Sequence, residues 1–291
     1  NDERKPLLNK ATSGAYPPGS TFKMVVAAAA LELGLIGLND KIFCPGFYEL
    51  GSRKFHCWLK GGHGKLTLQE AIQKSCDVYF YELARKVGVK RIGAMARLLG
   101  LGQSYKLPLT GLSKGFVPTK KWKKERFGTS WLVGDTLNVG IGQGFSLATP
   151  LQLAVMTARL ASGKKVSPNL IRTPDADQDK QKAISIRKST LDAIRKGMFD
   201  VLNDKDGTAF KSRSTDNNFS IAGKTGTSQV RKITREEREE GVIKNEDLPW
   251  KMRDHALFTC FAPYKNPKYA LSVVVEHGGS GSKVAAPIAR D

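Results

Sequence analysis

Residues 24–38, MVVAAAALELGLIGL, constrain the fold more than any other stretch of this chain. They read as a helical run that is apolar nearly all round, broken by Glu32 and Gly34. Such a helix has no face to give to water, so it belongs at the centre of a core with other elements wrapped about it. It is no membrane span: no stretch reaches the roughly 18 consecutive apolar residues that a span requires.

Immediately ahead of it stands YPPGSTFK, residues 16–23. Two prolines and a glycine stop the chain, and Ser20 then precedes Lys23 by three residues. A serine at a helix start is ordinarily an N-cap. However, residues i and i+3 share one helix face, and a lysine opening an apolar helix is partly desolvated, which makes it a usable base. A serine within reach of a base is an activated nucleophile.

The rest of the chain patterns as a mixed α+β fold, helices first and a sheet at the end. Residues 42–64 are rich in Gly, aromatic and charged residues and read as loops and short strands. Thr67 opens a helix that breaks at residues 75–77, where Asp77 is placed to cap a second helix ending at Gly88. TPLQLAVMTARLASG, from Thr149, has a cap, a proline at the first helical position and a terminal glycine. A further amphipathic helix starts near Ser189. FSIAGKTGTSQV, HALFTCFAPY and KYALSVVVEHGG then read as strands. The charged stretch at residues 231–251 reads as a surface loop, and a long loop beside a site can act as a lid.

The net charge of +20 raises the question of nucleic acid. The charges are spread along the chain without a nucleic-acid motif, so a basic surface facing anionic lipid or an acidic polymer is the better reading. The 291 residues suit one large domain or two small ones. The chain starts at NDERKPLLNK with neither Met nor a visible signal peptide, and it reads as a piece of something longer.

Three short motifs occur in a telling order: Ser20-x-x-Lys23, Ser75-Cys76-Asp77 and Lys224-Thr225-Gly226-Thr227. Each alone is weak. Together they match the signature set of penicillin-binding proteins and serine β-lactamases. The chain resembles the transpeptidase domain of class B penicillin-binding proteins, most closely the elongation-specific type. The resemblance runs through LLNKATSGAYPPGSTFK, GHGKLTLQEAIQKSCD, LNVGIGQGFSLATPLQLA, AGKTGTSQV, DHALFTCFAPY and HGG at residues 277–279.

The resemblance implies an antiparallel sheet packed by helices, with a helical subdomain, and one transpeptidase domain over residues 1–291. A membrane anchor and a pedestal domain would precede it, and Asp291 comes early for the family's last helix. It implies Ser20 as nucleophile, Lys23 as its base, Ser75 as proton relay oriented by Asp77, and Lys224 as the electrostatic anchor of a substrate carboxylate. Thr225 and Thr227 would bind that carboxylate, Gly226 would let the substrate backbone lie close, and the amides of Ser20 and Thr227 would form the oxyanion hole. The implied reaction is cross-linking of peptidoglycan stem peptides at the periplasmic face of the inner membrane. β-Lactams would acylate the same serine. The partners implied are a glycosyltransferase and scaffold proteins of the elongation complex.

Asp77 stands where many members have Asn and adds a negative charge beside two lysines. A serine β-lactamase is the nearest rival, because STFK also suits its class D. That class places a hydrophobic third residue in the second motif, where this chain has Asp77, and the hydrolytic Glu region of class A is absent. A non-catalytic β-lactam sensor is a second rival, opposed by the GQG…TPLQLA block.

The four cysteines pose a separate problem. The implied extracytoplasmic location makes disulfides the default. Cys260 lies in a strand pattern that reads as core, where free Cys behaves as a small hydrophobe. Cys44, Cys57 and Cys76 remain, with His63 between the last two, as Cys-x12-Cys-x5-His-x12-Cys. That set supplies a Cys3His tetrahedron for structural zinc, with His56 in reserve. Some elongation-type relatives hold zinc at these same places, with Asp in two of them. The alternative is a disulfide between Cys44 and Cys57, with Cys76 merely buried.

Overall fold

The computed structural model describes Asp2 and residues 4–171, 182–231, 233–234, 236–237 and 241–291. A one-turn helix α1 (Lys10–Ser13) and a 3-10 turn (Gly19–Phe22) lead into α2 (Lys23–Glu32). Every residue of α2 from 23 to 31 is buried. Each fully buried Val, Leu or Met contributes about 1.5–3 kcal/mol, and this apolar surround offsets the cost of placing Lys23 at 0 % exposure. Residues 27–30 are all alanine, so neighbouring helices approach this turn closely.

Those neighbours follow in sequence. Thr67 opens α3 (Leu68–Gln73) through a capping box, in which its hydroxyl accepts from Glu70 N and the Glu70 carboxylate accepts from Thr67 N at 2.7 Å. A tight junction, with Ser75 at φ +55°, separates α3 from α4 (Asp77–Val87). The cap of α4 corrects the sequence expectation: Cys76 is the N-cap, its Sγ accepting from Tyr79 N at 3.5 Å, and Asp77 is the first helical residue. Its carboxylate is thereby left for other partners. Three helices that the pattern did not single out follow: α5 (Val89–Leu98), α6 (Lys120–Phe127) and α7 (Val133–Gly140). α8 (Pro150–Ser162) has the expected Thr149 cap and a left-handed Gly163 after it, and α9 spans Lys188–Asn203. α2 packs against α4, α5 and α9.

Two short antiparallel ribbons occupy residues 42–66. β1 (Ile42–Cys44) pairs with β4 (Gly64–Leu66), and β2 (Phe47–Leu50) with β3 (Arg53–His56). The main sheet is antiparallel, in the order β5 (Ala222–Ser228), β6 (His255–Ala262), β7 (Tyr269–Val275). α8 lies against β6 and β7, α9 against β5, and the 3-10 turn that carries Ser20 against β5. This is the mixed α+β architecture expected. Among the described residues, no helix is long and apolar enough to cross a membrane. Of the charged stretch 231–251, residues 232, 235 and 238–240 lie outside the described residues, and Asn245–Asp247 and Trp250–Met252 form single turns.

Candidate active site

Ser20 does not cap a helix. It stands inside the 3-10 turn, half-buried, and Lys23 is the first residue of α2. The turn is seated by main chain. Gly19 N donates to Gly142 O at 2.9 Å, and a Cβ on Gly19 would fall 2.5 Å from Thr227 O. A Cβ on Gly142 would fall 2.0 Å from Gly19 O. Gly19 and Gly142 both have positive φ, so these positions require glycine by conformation as well as by space. Gln143 Nε2 donates to Thr227 O at 3.0 Å and joins the same seam.

Lys23 Nζ donates to Ser75 O at 2.9 Å, to Ser75 Oγ at 3.2 Å and to Asp77 Oδ1 at 2.7 Å. An ammonium has three protons; all three have acceptors here, and none of them is Ser20. The ion pair is almost dry, with side-chain exposures of 0 % and 13 %. Asp77 uses its other oxygen to accept from Trp58 N at 2.9 Å. The structure therefore joins Lys23, Ser75 and Asp77 into one buried network and sets Ser20 at its edge.

Lys224 is fully buried on β5. Its Nζ donates to Thr225 O at 3.1 Å and lies 3.4 Å from Thr225 Oγ1. Burial, and then the charge of Lys23, push its pKa well below the ordinary lysine value, against the pull of Asp77. Thr225 Oγ1 also shares a hydrogen bond with Thr208 Oγ1 at 2.9 Å, whereas Thr227 is half-buried at the rim. Gly226 has a packing role that the sequence did not reveal. A Cβ there would meet Thr21 Cγ2 at 3.0 Å, Leu257 Cβ at 3.1 Å and Pro18 O at 3.3 Å, so the missing side chain fits the Ser20 turn onto β5.

The Cys44, Cys57, His63 and Cys76 donor atoms lie within 4.8 Å of one another, and the three cysteines are buried. His63 Nδ1 is 3.7 Å from Cys44 Sγ and 3.5 Å from Cys57 Sγ. Tetrahedral zinc, at its usual bond lengths, sets S and N donors about 3.5–3.8 Å apart, so these residues fit it. None of the four cysteines is disulfide-bonded in the structure. The hydrogen bond between Cys76 and Cys57 favours the thiolate at Cys57 and pushes the Cys76 thiol up. His56 stands exposed on β3, outside the cluster. Cys260 is core as expected, its thiol pushed up by burial to about 12.

Pockets of about 390 and 640 Å³ open beside Lys10, Tyr16 and Glu276. Neither is lined by Ser20, Lys23, Ser75 or Lys224, so the site is recognised by its chemistry rather than by cavity size. Sequence reasoning missed Trp58, Gln143 and Thr208. Trp58 stands directly after Cys57 and Gln143 lies in the GQG block quoted above, though the sequence assigns neither a role; Thr208 carries no signal.

A serine at a close backbone seam, a buried lysine–carboxylate–serine network and a buried lysine on the adjoining strand define the penicillin-recognising serine class. The profile of the penicillin binding protein transpeptidase domain matches residues 1–291. The chain belongs to this family. It is 38 % identical over 301 residues to the peptidoglycan D,D-transpeptidase MrdA of Haemophilus influenzae, covering all of this chain and 46 % of that protein. It thus spans about half the length of that relative. Among solved structures, penicillin-binding protein PBP2 of Helicobacter pylori in complex with MreC matches with a TM-score of 0.87 and 38 % identity, over 100 % of this chain and 51 % of that one. Pseudomonas aeruginosa PBP2 in complex with WCK 5153 matches with a TM-score of 0.86 and 39 % identity, over 98 % and 62 %.

Proposed function

We propose that this chain is the cross-linking domain of an elongation-type peptidoglycan D,D-transpeptidase. Ser20 Oγ attacks the carbonyl of a D-Ala-D-Ala bond in a stem peptide, and the C–N bond breaks to release D-Ala. An amine from a neighbouring stem then attacks the ester and restores Ser20. The observation that carries this reading is the placement of Lys23. It is buried at the start of α2 and bonded to Ser75 and Asp77, one helical turn from a serine seated against β5. In one relay Ser75 Oγ gives its proton to the nitrogen of the leaving amine, Lys23 Nζ replaces that proton across its bond to Ser75 Oγ, and Lys23 takes up the proton of Ser20. The net transfer is one proton from serine to amine, so the lysine keeps its charge state.

The amides of Ser20 and Thr227 receive the oxyanion, a role supported by the contact of Gly19 with Thr227. Lys224 and Thr227 hold the substrate carboxylate. Thr225, tied to Thr208 and Lys224, contributes to that binding from below. β-Lactams acylate Ser20 in the manner of the donor peptide.

Structural zinc is part of the proposal. Cys44, Cys57, His63 and Cys76 would hold it, and it would fix the loop against the second motif without entering the chemistry. In the intact protein, an anchor and a pedestal domain would place this domain at the periplasmic face of the inner membrane. An elongation glycosyltransferase and scaffold proteins would be its partners; the complex of the Helicobacter pylori relative with MreC supports the latter.

The test is covalent labelling. Fluorescent penicillin should form a stable adduct on the Ser20 peptide, seen by mass spectrometry, and Ser20→Ala should abolish it while leaving the melting temperature in place. Labelling elsewhere sinks the assignment, and rapid turnover of the adduct would favour a β-lactamase. Cross-linking by the full-length protein separates a transpeptidase from a sensor.

A further inference from the structure

Trp58 does more than extend the cysteine loop. Its backbone N–H donates to Asp77 Oδ2 at 2.9 Å, and its indole Nε1–H lies 3.1 Å from both Lys74 O and Ser75 O. The indole meets the His63 ring edge-on, with centroids 5.4 Å apart. Yet the residue is 59 % exposed, so core burial does not account for it.

Two of the groups that Trp58 touches, Ser75 O and the Asp77 carboxylate, are also held by Lys23. Ser75 O accepts from Lys23 Nζ on one side and from the indole on the other. Asp77 gives one oxygen to Lys23 and the other to the Trp58 amide. Ser75 is also in the left-handed region, at φ +55°, a conformation that a serine keeps only when its surroundings hold it. Lys23 bonds Ser75 through the hydroxyl as well as the carbonyl, so a Ser75 whose backbone relaxed out of this left-handed conformation would shift its Cα and swing the hydroxyl away from Nζ.

We infer that Trp58 is a positioning residue for acyl transfer: its indole N–H fixes the Ser75 carbonyl, and so keeps Ser75 Oγ within reach of Lys23 Nζ. The inference rests on the proposed acylation of Ser20. Two variants of the full-length, metal-loaded protein test it. Trp58→Phe keeps a ring against His63 and removes the donor. Benzothienylalanine at position 58 keeps the bicyclic shape and replaces only N–H by sulfur. Stopped-flow acylation by fluorescent penicillin, over a range of concentrations, separates the dissociation constant of the first complex from the acylation rate.

The acylation rate should fall about fivefold to tenfold in both variants, the kinetic equivalent of one neutral hydrogen bond. The dissociation constant and metal content should not move, and the melting temperature should fall by no more than about 4 °C, the scale of one hydrogen bond. An unchanged rate in the sulfur variant overturns the inference, as does a loss that tracks metal content or a larger fall in melting temperature. A wild-type protein that is not acylated overturns the Ser20 reading and this inference with it. A labelled wild type with unaffected variants overturns this inference alone.

Discussion

Replacing Lys224 by Met separates what this residue costs the fold from what it does for the chemistry. Lys224 is 0 % exposed, and its amine is bonded only to Thr225 among the described residues. Burial first, and then the Lys23 charge, hold its pKa well below 10.5. The unfolded chain keeps that proton to higher pH than the folded one. In the window between the depressed folded value and 10.5, the unfolded state binds more protons, so stability rises with pH. The slope is up to about 1.4 kcal/mol per pH unit. Below the window the cost of the buried amine is full, and above it the cost is gone. Met has a similar length and no charge. Lys224→Met should therefore be at least as stable as wild type at neutral pH, and its stability should lack the alkaline rise. Acylation should fall by roughly 10²- to 10⁴-fold, the scale of one acid–base or electrostatic contribution. Urea unfolding across the alkaline range, run beside stopped-flow penicillin acylation, reads both effects. Near-normal acylation removes Lys224 from the mechanism. A less stable variant that keeps the wild-type pH slope refutes the burial argument.

Purified protein should carry about one zinc per chain, and Cys57→Ala or His63→Ala should lose the metal and lower the melting temperature together. A metal-free preparation with one intact disulfide and full penicillin binding would decide against the metal. Gly142→Ala drives a Cβ to 2.0 Å from Gly19 O at a position of φ +72°. It should cost roughly 1–3 kcal/mol of stability and slow acylation; a thermal melt matching wild type would show that the seam gives way easily.

The elements that sequence read well are those whose cause is local. Thr67 with Glu70, and Thr149 with Pro150 and Gly163, declare helix ends through capping chemistry within a few residues. The apolar run behind Lys23 is central as far as Leu31; the helix stops at Glu32, short of the run's end, and Leu33 and Leu38 beyond it are exposed. The three strands announced themselves by β-branched and aromatic runs between turn residues. α6 escaped because its sequence, KKWKKERF, is charged throughout and has no apolar stripe. The cap of α4 went to Cys76 rather than Asp77 because the carboxylate has better partners across space, in Lys23 and the Trp58 amide. The same reason hid the contact of Gln143, and Thr208 altogether. Each acts through one contact with a residue 84 or 17 positions away, and no local spacing records such a meeting. The cysteine–histidine set was legible as a donor count. Its closeness was not, because it depends on how the two ribbons fold back on α4.

The glycine seam around Ser20 has a mechanical consequence. Elsewhere in the core, side chains lie between backbones, and a small displacement of one element is absorbed by rotamer changes and van der Waals slack before it reaches the next. Between the loop after α7, the Ser20 turn and β5 there is no such cushion, because backbone meets backbone at Gly19, Gly142 and Thr227. A close-packed interior transmits strain, and here only the Gln143 and Thr21 side chains lie beside the backbone contacts. A movement of the β5 edge as a ligand enters should therefore reach Ser20 with little damping. Strand and serine turn should therefore shift together, and the spacing of the Ser20 and Thr227 amides with them.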